Sequence, residues 1–282
     1  MAPQISAHTR VRLANGAHVL QRSPTMLQFG LDATRTGIIE TPSAQDLRPL
    51  IDGWVTPRQL RAIMRQLQDI MDREAAAALV ADLLAYRVLV PDAPAQVYLS
   101  GTSPLSKQIA RLLSQSGIFV RLAGRTDAEV RFLATAESWV PMVLVDHMAR
   151  ARALTDLTKR RTGAVLHVAT VDSRVVIGPL RTSRADPCLV CLHLHCVDRD
   201  AGWELAVEQL PGGLMRPDPV VVAAGAALAS GVIRHVVGVP DPPGVSAPRL
   251  KPGHVRIVDP FGPQLVRDQA VTPHPRCGVC YP

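Results

Sequence analysis

The chain has 282 residues, enough for one large domain or two smaller ones, and 47% of them are hydrophobic, which is ample for a core. Only 4% are aromatic, so that core is built from Leu, Val, Ala and Ile, and few rings are on hand to stack on bases. The formal net charge of +7 invites a nucleic-acid reading, but the arginines are scattered and fit an Arg-rich composition better than a basic binding surface, so nucleic acid is not the expected partner.

Residues 1–92 read as a small domain. Segments 18–22, 26–31 and 37–40 alternate or run apolar over strand-like lengths, with turns at Ser23-Pro24 and residues 32–35. Three helices follow. Ser43 can cap the first, through Leu47, Leu50 and Ile51. Thr56-Pro57 can open the second, a capping threonine followed by a proline at the first helical position, with Leu60, Ile63, Met64 and Leu67 at helical spacing. The third, over 73–86, places Ala76, Leu79, Val80, Leu83 and Leu84 on one face. Three short strands and three helices make a winged-helix-like arrangement. As a DNA reader it would need a basic recognition helix, and residues 75–85 carry no Lys or Arg.

A linker over 91–96 leads to a second domain over 97–282. It opens with a strand at 97–100, the turn Gly101-Thr-Ser-Pro-Leu-Ser106, a helix over 106–115 and a strand at 118–122, the β-α-β start of a doubly wound fold. A nucleotide cradle would carry G-x-G-x-x-G. Here Gly101 stands alone, Ser103 and Ser106 replace the later glycines, and Pro104 removes an N–H, so a plain strand–helix turn is the simpler reading. No acid closes the second strand within 120–124. The strand 142–145 ends in Asp146, which could hold Mg²⁺ on the ligand-binding edge or cap a helix over 148–162, whose Arg150, Arg152, Lys159, Arg160 and Arg161 read as a solvated face. Further strands are expected at 163–170 and 175–177, a loop at 211–219, and a buried helix at 220–235, too short an apolar run for a bilayer span. A Pro-rich stretch over 240–253 precedes a hairpin of strands 254–259 and 264–271. Residues 1–20 hold no uninterrupted apolar run of the signal-peptide kind, so a cytoplasmic location without membrane attachment is expected.

The strongest motif is a pair of C-x₂-C knuckles, Cys188-Leu-Val-Cys191 and Cys277-Gly-Val-Cys280. Together they supply the four thiolates of a closed structural zinc site. Two disulfides, free buried thiols and a redox pair remain as other readings, although Pro187 ahead of the first knuckle does not suit a redox helix start. Cys196 reads as a buried thiol, and His193 and His195 stand near enough to compete as ligands.

From residue 97 onward this order of features resembles the ThiF/MoeB family, relatives of the ubiquitin-activating enzymes. The resemblance implies a structural Zn²⁺ on Cys188, Cys191, Cys277 and Cys280, with Gly101 and Asp146 matching the phosphate loop and metal-binding aspartate only loosely. The segment between those two residues is little more than one β-α-β unit plus a strand, and its Lys107, Arg111, Arg121, Arg125 and Arg131 form no nucleotide motif. A chain lacking cradle and clamp is expected neither to use ATP nor to have catalytic residues; a divergent adenylyltransferase is the competing enzyme reading.

With the small domain in front, the whole resembles the leader-peptide-binding proteins of azole-forming microcin pathways, named bacteriocin-biosynthesis cyclodehydratase proteins, of the actinobacterial branch. The resemblance implies a degenerate ThiF-like α/β domain and an N-terminal peptide-recognition domain. The precursor's leader would add as a strand to the edge at 36–40, with Thr36, Ile38 and Ile39, and pack on a groove wall of Leu79, Leu83 and Tyr86. Core packing is the competing reading for those apolar side chains. The implied partners are a precursor leader peptide and a separate modification enzyme, with a possible homodimer in which the helix 220–235 takes part.

Overall fold

The computed structural model describes residues 5–123 and 127–281, with only the backbone at Asp127. Arg125 lies outside the described residues. The chain divides into two compact units, Met1–Pro94 with Pro240–Pro248, and Ala95–Val239 with Arg249–Pro282.

The first unit contains strands β1 (Arg10–Leu13), β2 (Val19–Ser23) and β3 (Met26–Phe29), helix α1 (Ala33–Thr36), strand β4 (Ile38–Glu40), helix α2 (Ala44–Asp52), strand β5 (Arg58–Gln59), helices α3 (Leu60–Gln68) and α4 (Arg73–Ala85), and strand β6 (Leu89–Pro91). β2, β3 and β4 form an antiparallel meander with β4 at one edge. A second small sheet, ordered β5-β1-β6, has no counterpart in the sequence reading. It also corrects the start of α3. Arg58 and Gln59 pair with Val11 and Arg10, so the helix begins at Leu60 rather than on Thr56-Pro57. α4 begins after Asp72, whose carboxylate accepts the Ala75 N–H at 2.8 Å. Trp54, Leu27, Phe29, Leu47, Ile63 and Leu67 fill the core between sheet and helices.

The second unit contains β7 (Ala95–Ser100), α5 (Pro104–Gln115), β8 (Ile118–Leu122), α6 (Asp127–Thr135), β9 (Met142–Val145), α7 (Ala151–Thr158), β10 (Val165–Val171), β11 (Arg174–Arg181), α8 (Leu189–Arg199), α9 (Trp203–Glu208), α10 (Pro219–Val236), β12 (His254–Val258) and β13 (Val266–Ala270). The strands form one seven-stranded sheet ordered β13-β12-β11-β10-β9-β7-β8. The doubly wound expectation holds only for its parallel half, β8-β7-β9-β10; from β10 outward the pairing is antiparallel. The tight β10–β11 turn enforces that change, because a short connection can join only antiparallel strands.

Both faces of the parallel half are covered, which explains the unbroken apolar run of β9. Val97, Leu99, Val143 and Val145 pack toward α5 and α10; Tyr98, Met142 and Leu144 pack toward Leu133 and Leu154 of α6 and α7. α10 is long and apolar enough to cross a bilayer by length and composition, but its inner face is packed. At Gly225 a Cβ would lie 2.3 Å from Val175 Cγ2, so glycine sets how closely helix and sheet approach.

The expected helix over 148–162 is a 3₁₀ turn at Met148–Arg150 followed by α7. Two of its arginines are not a solvated face. Arg150 pairs with Glu129, and Arg161 donates to the carbonyls of Glu137 and Val140, each at 2.6 Å. Arg161 also lies over the Tyr98 ring, which Arg121 covers at 5.1 Å.

Candidate functional site

The two knuckles meet. Cys188 is the N-cap residue of α8 and Cys191 sits in its first turn, so this knuckle does open a helix, contrary to the reading from Pro187. Cys277 and Cys280 lie in a tight turn in which the Cys277 N–H donates to His274 O and the Tyr281 N–H to Cys277 O, both at 2.9 Å. All four Sγ atoms lie within 4.8 Å of one another, with neighbouring pairs at 3.8, 3.6 and 3.5 Å. Zn–S bonds of about 2.3 Å in a tetrahedron require S···S edges of about 3.8 Å, whereas a disulfide requires about 2.05 Å. The thiols are unbridged and three of them are buried. The donor set therefore fits one tetrahedral thiophilic metal ion and closes around it without a position for substrate.

The thiols shift one another's ionisation. The hydrogen bond from Cys188 holds Cys191 down to about 4, and the same bond, with burial, pushes Cys188 far up. Burial and the neighbouring Cys191 thiolate push Cys280 up to about 11. Cys191 is thus favoured as the thiolate while Cys188 and Cys280 resist ionisation, and a divalent ion bound among them would favour the ionised forms.

His193 and His195 are not drawn into the cluster. His195 Nε2 pairs with Thr272 O at 2.9 Å, and His193 faces Glu204 at 3.7 Å. His195, Asp198 and His274 do bring ligand atoms within 4.8 Å of one another, but Asp198 is already held by His274 Nε2 at 2.8 Å and by Arg276, bracing the second knuckle against α8.

Gly101 and Asp146 come to the same place, the carboxyl edge of the parallel strands, where groups of the protein itself contact both. Gly101 has φ +134°, and a Cβ there would lie 2.7 Å from Val145 O, so the close approach to β9 accounts for the glycine without any phosphate. Ser103 caps α5 through the Ser106 N–H at 3.2 Å, and Ser106 Oγ donates to Gly101 O at 2.8 Å. Asp146 is 3% exposed, and burial pushes its carboxyl up against the pull of hydrogen bonds from Ser103 and Thr170. It is not a helix cap, because its carboxylate takes the Thr170 N–H of β10 at 2.6 Å. Gly213 lies directly against it, so that a Cβ at 213 would stand 2.5 Å from Asp146 Cβ.

Beside Asp146 lies a network absent from the sequence reading. Glu129 of α6 accepts from Ser100 and from Arg150 and faces His147 Nε2 at 3.2 Å, and Ser100 Oγ meets that nitrogen at 2.9 Å. Burial works to raise the Glu129 carboxyl, but hydrogen bonds from His147, Ser100 and Arg150 prevail and hold it at about 2. Arg150 is thus engaged by the protein's own carboxylate.

In the first unit, Ile38 is 44% exposed on edge strand β4, and Ile39 packs against the core. Thr36 ends α1 rather than beginning the strand. Leu79 and Leu83 lie in the core, while Tyr86, the residue closing α4, is exposed.

No protein-family model and no curated protein sequence matches the chain. Solved structures do. A heterocyclase in complex with substrate and cofactor matches at 16% identity and TM-score 0.59, over 96% of this chain and 39% of that one. The heterocyclase TruD matches at 15% identity and TM-score 0.58, over 96% and 43%. The chain has the fold of part of a heterocyclase. It spans about two fifths of the length of these two enzymes, 39% and 43%. E. coli MccB with MccA-N7isoASN matches at 11% identity and TM-score 0.52, over 96% of this chain and 100% of that one; MccB is the microcin C7 biosynthetic enzyme.

Proposed function

We propose that the protein captures the leader segment of a ribosomally made precursor peptide and presents it to a separate modification enzyme, with a structural zinc on Cys188, Cys191, Cys277 and Cys280 and no adenylation chemistry of its own. The observation that carries this reading is edge strand β4, whose outer side pairs with no strand among the described residues, beside exposed Ile38. A guest strand would pair along that side and lay an apolar side chain against Ile38, the geometry of β-augmentation. Tyr86 is the exposed member of the expected groove wall, and Leu79 and Leu83 would support it from the core. The likeness to heterocyclases and to a microcin biosynthetic enzyme supports the substrate class, and the engagement of Asp146 and Arg150 by groups of the protein itself supports binding without nucleotide chemistry.

The test is titration of fluorescent leader peptides, taken from precursors encoded beside this chain, into the full-length protein. Saturable binding is expected, and Ile38→Lys should weaken it by about tenfold or more, roughly 1.4 kcal/mol. ATP–pyrophosphate exchange should be silent with and without peptide. Exchange that disappears in Asp146→Ala would instead establish the adenylyltransferase.

A further inference from the structure

The second unit holds a cavity of about 460 Å³ that neither the metal cluster nor the peptide edge uses. It lies between the antiparallel half of the sheet and helices α8 and α9, and its volume is in the range of small-molecule sites. Its floor is apolar, made by Val176, Val255 and Ile257. Three ring-bearing residues on its wall carry buried nitrogens with no partner: His147 Nδ1, His167 Nδ1 and Trp203 Nε1. His167 is 4% exposed, and its ring makes no hydrogen bond among the described residues. Unpaired buried ring nitrogens are costly, and all three of these residues line the same cavity.

Charge narrows the ligand class. Arg174, Arg199 and Arg267 line the same cavity, and none has an ion-pair partner among the described residues. The carboxylate on the wall, Asp200, accepts the Gly202 N–H at 2.9 Å. Burial holds His167 down to about 3, with the nearby His147 and Arg181 adding to the effect, so at neutral pH it offers one N–H and no charge. Cationic guanidinium groups above an apolar floor suit an anion with an apolar body.

We propose that this cavity binds a carboxylate carried on an apolar or aromatic body, with the carboxylate toward Arg174, Arg199 and Arg267 and the body on the β11–β12 floor. This inference stands apart from leader capture at β4, and neither depends on the other.

Calorimetric titration of the full-length protein with trans-cinnamate and decanoate, against the matching neutral amides, tests it. The acids should bind saturably, with the amides weaker by about tenfold or more. The double charge reversal Arg199→Glu, Arg267→Glu changes exposed residues and should keep the thermal transition while weakening the acids by about tenfold or more. A second arm uses short peptides ending in Phe with a free or amidated C-terminus. Tighter binding of the free-ended peptide than of cinnamate assigns the carboxylate to a chain terminus; the reverse assigns it to a free acid. Equal binding of acids and amides, indifference to the charge reversal, or no saturable binding at millimolar concentration overturns the proposal.

Discussion

Cys277 is the residue on which the metal reading can be checked most directly. It is fully buried and its Sγ lies 3.6 Å from that of Cys188. Purified protein should carry one zinc per chain, and Cys277→Ser should abolish it, as elemental analysis would read. The chain-end turn would then lose its tie to α8, and the melting temperature should fall by several degrees, since a few kcal/mol moves a domain of this size by roughly that much. Glu129 supports a prediction in pH. Its folded value of about 2 lies below the ordinary 4.5, so it contributes stability that is complete above about 4.5 and lost as the pH falls through about 2. Urea midpoints measured from pH 6 to pH 2 should therefore fall steeply in the native protein and less steeply in Glu129→Gln. An equal slope in both would show that the Ser100–His147–Arg150 network does not hold the carboxylate ionised. The cysteines were legible because metal geometry imposes a spacing that sequence preserves. The Glu129 network was not, because it joins α6, the end of β7 and the turn after β9, residues related only through the fold.

At the level of elements, the meander β2–β4, helix α4 and helix α10 were legible for a plain reason. The strands are short apolar runs between turn residues, α4 places Leu79, Val80 and Leu83 at helical spacing, and α10 is an apolar run too long for a strand. Strand β1 does alternate, with Val11 and Leu13 buried, but it is only four residues long; β5 is two residues long and exists only because Arg10 and Val11 lie beside it. Helix α8 was masked by the cysteine spacing and by the histidines that interrupt its apolar face. The switch from parallel to antiparallel pairing after β10 depends on turn length, which the strand pattern does not encode. α10 against β11 gives the test at this scale. Because a Cβ at Gly225 would stand 2.3 Å from Val175 Cγ2, the helix must lift off the sheet to admit one. Gly225→Ala gains helix propensity but should destabilise by roughly 1–3 kcal/mol, as overpacked cores do, in chemical denaturation. A companion Val175→Ala should recover part of that loss, which separates overpacking from any intrinsic fault of alanine in the helix.

Across the whole molecule, the chain leaves the second unit after Val239, contributes Pro240–Pro248 to the first, and returns at Arg249. From sequence this stretch read only as irregular, yet it is held by specific contacts. The Arg87 guanidinium donates to Val245 O and to Ser246 Oγ at 3.2 Å, and the Gly244 N–H reaches Tyr86 O at 3.3 Å. Gly244 has φ +65°, and a Cβ there would lie 2.0 Å from Arg35 O, so no other residue fits the contact. The segment therefore touches α1 and the end of α4, the two ends of the surface on which leader capture is proposed. A fragment truncated after residue 92 would lack it, which is why peptide binding belongs in the full-length protein. Gly244→Ala should release the segment without disturbing either core. Limited proteolysis followed by mass spectrometry should show cleavage within 240–248 several-fold faster than in the native chain, while both units keep their cooperative melting. If leader affinity changes in the released variant, the segment helps to shape the peptide surface; if it does not, capture rests on β4 itself. Cleavage at the native rate would show that Arg87 and the Tyr86 carbonyl hold the segment even without the glycine.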